Sequence, residues 1–167
     1  MKNNVIFDLD MTLVDSSIAE SARKQRNWKL VYSMIPSFTL YPGMDEVFAF
    51  IRNNNIKVAI VSTSPRPYVE RVCRYFNIPT NAILGYHDCG RIKPAPDGMI
   101  RALYEIGALP QNSVSFGDRA IDIQASNAAG ITSVACLWGT NERFALASSN
   151  PSETILSPIE IIALIRQ

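Results

Sequence analysis

The chain has 167 residues, of which 47% are apolar and 19% charged, with a formal net charge of +1 at pH 7. That length makes one domain with room for a small insertion, and a core large enough to need no staples. The balanced charge excludes a one-signed field and leaves no nucleic-acid footprint, and no apolar run reaches the ~18 residues needed to span a bilayer.

Residues 5–9 read as a buried strand, an apolar run that ends in Asp8, with Asp10 and the Thr12 hydroxyl just beyond. Those acids stand where a signal peptide would need an apolar stretch. Residues 15–42 look helical but belong to no strand–helix unit. At the helical angle Trp28, Val31, Tyr32 and Ile35 share a face, while Ile18 and Ala22 fall off it, so one straight helix is not expected. Arg23, Arg26 and Lys29 read as a solvated face, and Trp28 as packing. A helix is expected over 44–54, a strand over 56–61 closed by Ser62-Thr63-Ser64-Pro65, and a helix over 67–76. A short strand at 82–84 precedes a loop holding His87, the single histidine, which reads as structural. Then come a helix over 96–106, a strand over 113–116, a helix over 121–129 and a strand over 132–137. A short helix near 143–147, a Ser/Asn/Pro loop and a last helix from 158 complete the chain. Such alternation implies an α/β fold, a parallel sheet with helices on both faces. Three scattered cysteines, Cys73, Cys89 and Cys136, form no metal or redox motif, so free thiols in a cytoplasmic protein are expected.

The polar residues gather where chemistry would want them. In an open α/β sheet the ligand crevice lies at the carboxyl ends of the strands. Asp8 and Asp10 end the first strand, Ser62 the second, and Asp118 a later one, with Asp122 one helical turn further on the same face. Lys93 sits in Arg91-Ile92-Lys93-Pro94, its backbone restricted by the following proline. Taken singly, each has a bland reading as a cap, a turn or a solvated side chain. Taken together, four acids, a lysine and a divalent cation make a charge-balanced site, because close carboxylates repel unless something neutralises them.

The order FDLDMT, VSTS, KPAPD and GDRAID followed by AGI resembles the four motifs of the haloacid dehalogenase superfamily of phosphohydrolases, from residue 5 to about 139. The resemblance implies a Rossmann-like core made of residues 1–14 and 43–167, with a reduced helical cap over 15–42. It implies Asp8 as the nucleophile that forms an aspartyl-phosphate, and Asp10 as general acid and then base. Ser62 and Lys93 would bind the phosphoryl oxygens, with Thr12 and Thr63 contacting substrate. Mg²⁺ would be held by Asp8, the Asp10 carbonyl and Asp118, with Asp122 supporting that shell or Lys93. Dehalogenating and phosphonate-cleaving members lack an aspartate at the position of Asp10, so phosphate monoesters are expected.

Met11 stands where the family usually has glycine, and the cap is much smaller than the usual helical bundle. A small cap encloses little, so dimerisation, the substrate or slower chemistry must deal with water. The expected partner is a phosphorylated small molecule or a larger phosphorylated substrate, with a homo-oligomer left open and no membrane. A phosphomutase or phosphotransferase of the same family is the near alternative. A catalytically silent phosphate-binding protein or a receiver-like signalling module is the distant one. A receiver carries its lysine last, whereas here Asp118 and Asp122 follow Lys93. No GxGxxG follows any strand, which leaves dinucleotide binding unsupported.

Overall fold

In the computed structural model, which describes residues 2–167, Asn4–Phe7 forms strand β1 with all four residues buried. Next come β2 (Val14–Asp15), α1 (Glu20–Lys24), α2 (Trp28–Met34) and β3 (Thr39–Leu40), outside the main sheet. The alternating part runs α3 (Met44–Asn53), β4 (Lys57–Val61), α4 (Arg66–Tyr75), β5 (Ala82–Leu84) and α5 (Asp97–Ile106). It continues with β6 (Ser113–Gly117), α6 (Ala120–Ala128), β7 (Thr132–Cys136), α7 (Arg143–Ser148), β8 (Glu153–Ile155) and α8 (Glu160–Arg166). Six strands pair in parallel in the order β5-β4-β1-β6-β7-β8. The expected α/β sheet is therefore the observed one. Among the described residues no helix is long and apolar enough to cross a membrane.

The strands alternate between two apolar layers because successive side chains point to opposite faces. Val5 and Phe7 enter the layer packed by α3, α4 and α8, whereas Ile6 joins Ala59, Val61, Met99 and Leu103 on the other side. Phe7 stacks on Phe116 of the neighbouring strand, with ring centroids 5.2 Å apart. Burying each such ring stabilises the fold by about 1.5–3 kcal/mol. Helix ends follow the residues able to turn the chain. Asn55 and Asn77 take left-handed backbones just after α3 and α4, and Gly107 does so after α5.

β1 lies between β4 and β6, with Phe7 opposite both Ile60 and Phe116. The chain steps outward from β1 through β4 to β5, then returns to β6 and steps outward the other way. The strand order thus reverses at β1, and the helices on either side part there to leave a crevice at the carboxyl ends. Asp8, Ser62 and Asp118 are each the residue that follows one of these three strands.

Two features differ from expectation. The Ser/Asn/Pro loop contains β8, an edge strand too short, and with too few apolar side chains, to show a period of two. The segment between β1 and α3 is pinned at its base by an antiparallel pairing of β2 with β3, each only two residues long. The expected break in its helix occurs at Arg26, which has φ +55°, and Asn27, whose side chain caps α2. Val31 and Ile35 are buried in the main core, so the segment is seated on the sheet layer rather than standing apart from it.

Candidate active site

Asp8 begins where the β1 ladder ends. Its backbone N–H still pairs with Phe116 O at 3.0 Å, which aims the side chain into the crevice. Lys93 reaches the same point from the loop before α5. Its Nζ donates to Asp8 Oδ1 at 2.7 Å, to Asp122 Oδ1 at 2.5 Å and to Val61 O at 2.9 Å, using all three ammonium protons. Burial works against that charge, but Asp122 and Asp8 outweigh it and hold the Lys93 pKa above its ordinary value. Asp122 Oδ2 accepts the Arg119 N–H at 3.0 Å, so this carboxylate also closes the start of α6. The close approach needs Gly117, since a Cβ there would lie 2.3 Å from Asp122 Cβ.

Asp118 is buried, and its Oδ1 accepts the Thr12 hydroxyl at 2.9 Å. Thr12, expected as a substrate contact, is fully buried and does not border the cavity. The turn after β1 rotates its hydroxyl behind the site, where it orients Asp118. Trp138 Nε1 donates to Thr12 O at 2.9 Å and pins that turn from outside. Met11 carries the left-handed backbone of the turn, with φ +65°, which is the physical reason glycine suits the position. A side chain at Gly139 would collide with Met11 O.

Asp10 faces a different set of groups. Its Oδ1 accepts hydrogen bonds from the Ser16 hydroxyl at 2.6 Å and the Tyr68 hydroxyl at 2.6 Å and forms an ion pair with Arg23 Nη1 at 3.2 Å, and its Oδ2 accepts from Ser64 Oγ at 3.4 Å. Arg23 is therefore not on a solvated face. Because the helix breaks at Arg26, α1 turns Arg23 inward, where it also donates to Ser16 O and Oγ. Lys29 is exposed as expected, and Arg26 is exposed at the cavity rim. Trp28 packs on Tyr68 with centroids 5.6 Å apart and also lines the cavity. Burial, reinforced by Asp10, pushes the Tyr68 phenol well above its ordinary pKa and keeps it a donor. Tyr68 and Ser16 were not singled out in the sequence. Tyr68 has an apolar neighbourhood at helical spacing (Val69, Val72), and only its hydroxyl hints at a partner.

At the end of β4 the backbone N–H of Ser62 is committed to Leu84 O and that of Ser64 to Ser62 Oγ. Ser62 Oγ accepts that bond, so its own proton is free for an anion. Thr63, unlike Thr12, does border the cavity, as do Ser62 and His87. His87 is exposed, its ring edge-on to Tyr86 at 4.8 Å. The cavity measures about 740 Å³ and is walled on one side by Asp8, Lys93, Asp118 and Asp122 and on the other by residues 17–28.

The carboxylates of Asp8, Asp118 and Asp122 offer oxygens within 4.8 Å of one another. Three hard oxygen donors against a single lysine leave surplus negative charge, which is the donor chemistry Mg²⁺ prefers. The residues present therefore fit the ion. The same crowding shows in proton affinity. Burial, with Asp122 adding and Lys93 opposing, pushes the Asp8 carboxyl up to about 7. Burial, together with Asp8 and Asp122, pushes Asp118 up to about 9.

Both groups bind protons more tightly folded than unfolded, so their stabilising protons are lost as pH rises through about 7 and about 9. The acids held low, such as Asp88 and Glu160, act at the acid end of the scale. Hence the metal-free protein is expected to lose thermal stability steadily from about pH 5 to about pH 9. Mg²⁺ competes with those protons, so its stabilisation should grow over the same interval. Melting curves with and without Mg²⁺ across this range check both trends. A Tm that rose with pH, or a Mg²⁺ increment that did not change, would contradict the charge assignment.

A curated phosphoglycolate phosphatase of Pseudomonas syringae pv. syringae is 27% identical over 155 residues, covering 89% of this chain and 55% of the relative. The chain spans about half the length of the curated relatives it matches. Among solved structures, CbbY from Rhodobacter sphaeroides in complex with phosphate superposes with a TM-score of 0.81 at 18% identity, covering 96% of both chains. A HAD-superfamily hydrolase, subfamily IA, variant 1, from Geobacter sulfurreducens gives 0.80 at 17% identity, covering 98% of this chain and 100% of that one. These likenesses carry the fold. Residues 16–136 match the haloacid dehalogenase-like hydrolase family, and the chain belongs to it.

Proposed function

We propose that the protein is a Mg²⁺-dependent phosphomonoester hydrolase that works through an aspartyl-phosphate on Asp8. The observation that carries this reading is the strand-end cluster, Asp8 on Lys93 beside Asp118 and Asp122, open to a cavity of about 740 Å³. Asp8 Oδ1 is tied to Lys93, and among the described residues no group donates to Oδ2, which leaves that oxygen to attack phosphorus. As the new P–O bond forms, the bond to the alcohol breaks, and Asp10 protonates the departing oxygen. Asp10 then takes a proton from water, the water oxygen attacks phosphorus, and Asp8 is released with inorganic phosphate. Ser62 Oγ–H and Thr63, whose donors meet no partner among the described residues, bind phosphoryl oxygens, and Lys93 neutralises charge gathered there. Asp8, the Asp10 carbonyl and Asp118 would hold Mg²⁺, with Asp122 fixing Lys93. Bound there, the ion would supply neutralisation of the phosphoryl oxygens.

Residues 15–42 act in this reading as a reduced cap over the core. The cap presents Arg26, Trp28 and the Glu20–Lys24 pair to the cavity, with Arg23 turned onto Asp10, and Arg26 is, among the described residues, the cation left to meet an anionic substrate. Phosphoglycolate, the substrate in the names of the curated relatives, is the first to test. The expected result is release of inorganic phosphate from p-nitrophenyl phosphate or phosphoglycolate with Mg²⁺, lost in EDTA and restored by excess Mg²⁺. Equal turnover with and without EDTA would sink the metal dependence, and no turnover of any phosphomonoester would sink the reading.

A further inference from the structure

Asp10 is gripped by one oxygen. Two hydroxyls and a cation from three different places converge on Oδ1: Ser16 from the turn after β2 and Tyr68 from α4 donate hydrogen bonds, and the Arg23 guanidinium from α1 forms an ion pair. Oδ2 has only the longer contact from Ser64 Oγ at 3.4 Å. A carboxylate free to rotate would present either oxygen to a substrate, whereas this one cannot. The Ser16 and Tyr68 hydroxyls occupy both lone pairs of Oδ1, so an acid proton on Asp10 resides on Oδ2.

The grip is itself braced. Tyr68 is fully buried, and phenylalanine would fill the same space, so packing alone does not account for its hydroxyl. The Trp28 ring lies against the Tyr68 ring, and Arg71 from the next turn of α4 sits 4.2 Å from the centre of the Tyr32 ring on α2. α2 and α4 are thereby held together around the Tyr68 ring, which is fully buried. Arg23 completes the arrangement by donating to Ser16 Oγ at 2.7 Å, which leaves the serine proton for Asp10.

We propose that Tyr68, with Ser16 and Arg23, is a positioning residue that locks Oδ1 of Asp10 and thereby presents Oδ2 as the oxygen that passes its proton to the leaving group. The inference rests on the reading of Asp10 as general acid. It goes beyond that reading by assigning which oxygen acts and which residues outside the four motifs set it.

The test exploits leaving groups of different basicity. p-Nitrophenolate departs readily without a proton, whereas phenolate gains much more from one. In Tyr68→Phe, first-turnover release of phenol from phenyl phosphate should fall about tenfold or more. Release of p-nitrophenol from p-nitrophenyl phosphate should fall less than about threefold, with KM for both nearly unchanged. Ser16→Ala, a smaller perturbation, should give the same unequal pattern and carries the comparison if Tyr68→Phe does not fold. Parallel losses with the two esters, or no loss, would overturn the inference while leaving the phosphohydrolase reading intact. A wild-type protein that turns over no phosphomonoester would overturn both.

Discussion

Asp8→Asn is expected to abolish phosphomonoester turnover, by on the order of 10⁴-fold or more, because the amide cannot form the acyl phosphate. The substitution preserves shape, and Asn Oδ1 can still accept from Lys93 Nζ, which reaches the native carboxylate at 2.7 Å. Stability supplies the internal control. Burial pushes the Asp8 carboxyl up to about 7, so in the metal-free protein ionising it costs stability. A neutral amide mimics the protonated state, and the metal-free variant should melt no lower than wild type at about pH 8. Loss of activity in a protein of undiminished Tm therefore assigns chemistry to Asp8. Substantial residual turnover would remove the nucleophile from the mechanism.

Lys93→Met should damage both stability and activity. The native ammonium spends its three protons on Asp8, Asp122 and Val61 O in a buried setting. Methionine fills similar space but leaves Asp8, Asp118 and Asp122 with no cation among them. Removing one partner from a buried ion pair costs about 3–5 kcal/mol, since the remaining charges stay desolvated and repel one another. The deficit should shrink as pH falls and the carboxylates take up protons, and should shrink again on adding Mg²⁺. Urea unfolding at about pH 6 and about pH 8, with and without the ion, reads both trends. Turnover should fall by about 10²–10³-fold, the usual cost of losing a fixed charge beside a developing one. A variant as stable and active as wild type at high pH would mean that Lys93 does not neutralise this cluster.

The two variants separate roles that one carboxylate–ammonium contact combines. Asp8→Asn removes a reactive atom and leaves the electrostatics eased, whereas Lys93→Met leaves the reactive atom and removes what restrains its neighbours. A Tm lowered in Lys93→Met but not in Asp8→Asn, with losses of turnover in both, is the signature of a site built around surplus negative charge.

Much of the core and the placement of the strand-end residues could be read from the chain itself. Residues 5–7 and 58–61 are apolar runs that stop at Asp8 and Ser62, and Val114 and Phe116 alternate with small residues up to Asp118. A buried strand must be continuously apolar and must end where the chain meets water, so type and boundary are encoded locally. The helical turn between Asp118 and Asp122 put both within reach of one cation or one lysine, and the contact of Asp122 with Lys93 Nζ takes the second of those.

Other features depended on neighbours that no local pattern specifies. The direction of Thr12 is set by a left-handed residue at Met11 and by Trp138, distant in sequence, so its hydroxyl meets Asp118 rather than the cavity. Arg23 looks like any solvated cation until the chain reverses at Arg26 and turns it onto Asp10. Tyr68 reads as one more apolar position on α4, because hydrophobic spacing reports the ring and is blind to the hydroxyl. β8 becomes a strand only because β7 offers an unpaired edge. Local sequence thus determined the sheet and which polar side chains stand at its carboxyl edge, since burial and chain ends act over a few residues. Tertiary packing alone decided which of those groups face the substrate and which brace the others, since that depends on contacts between residues far apart along the chain.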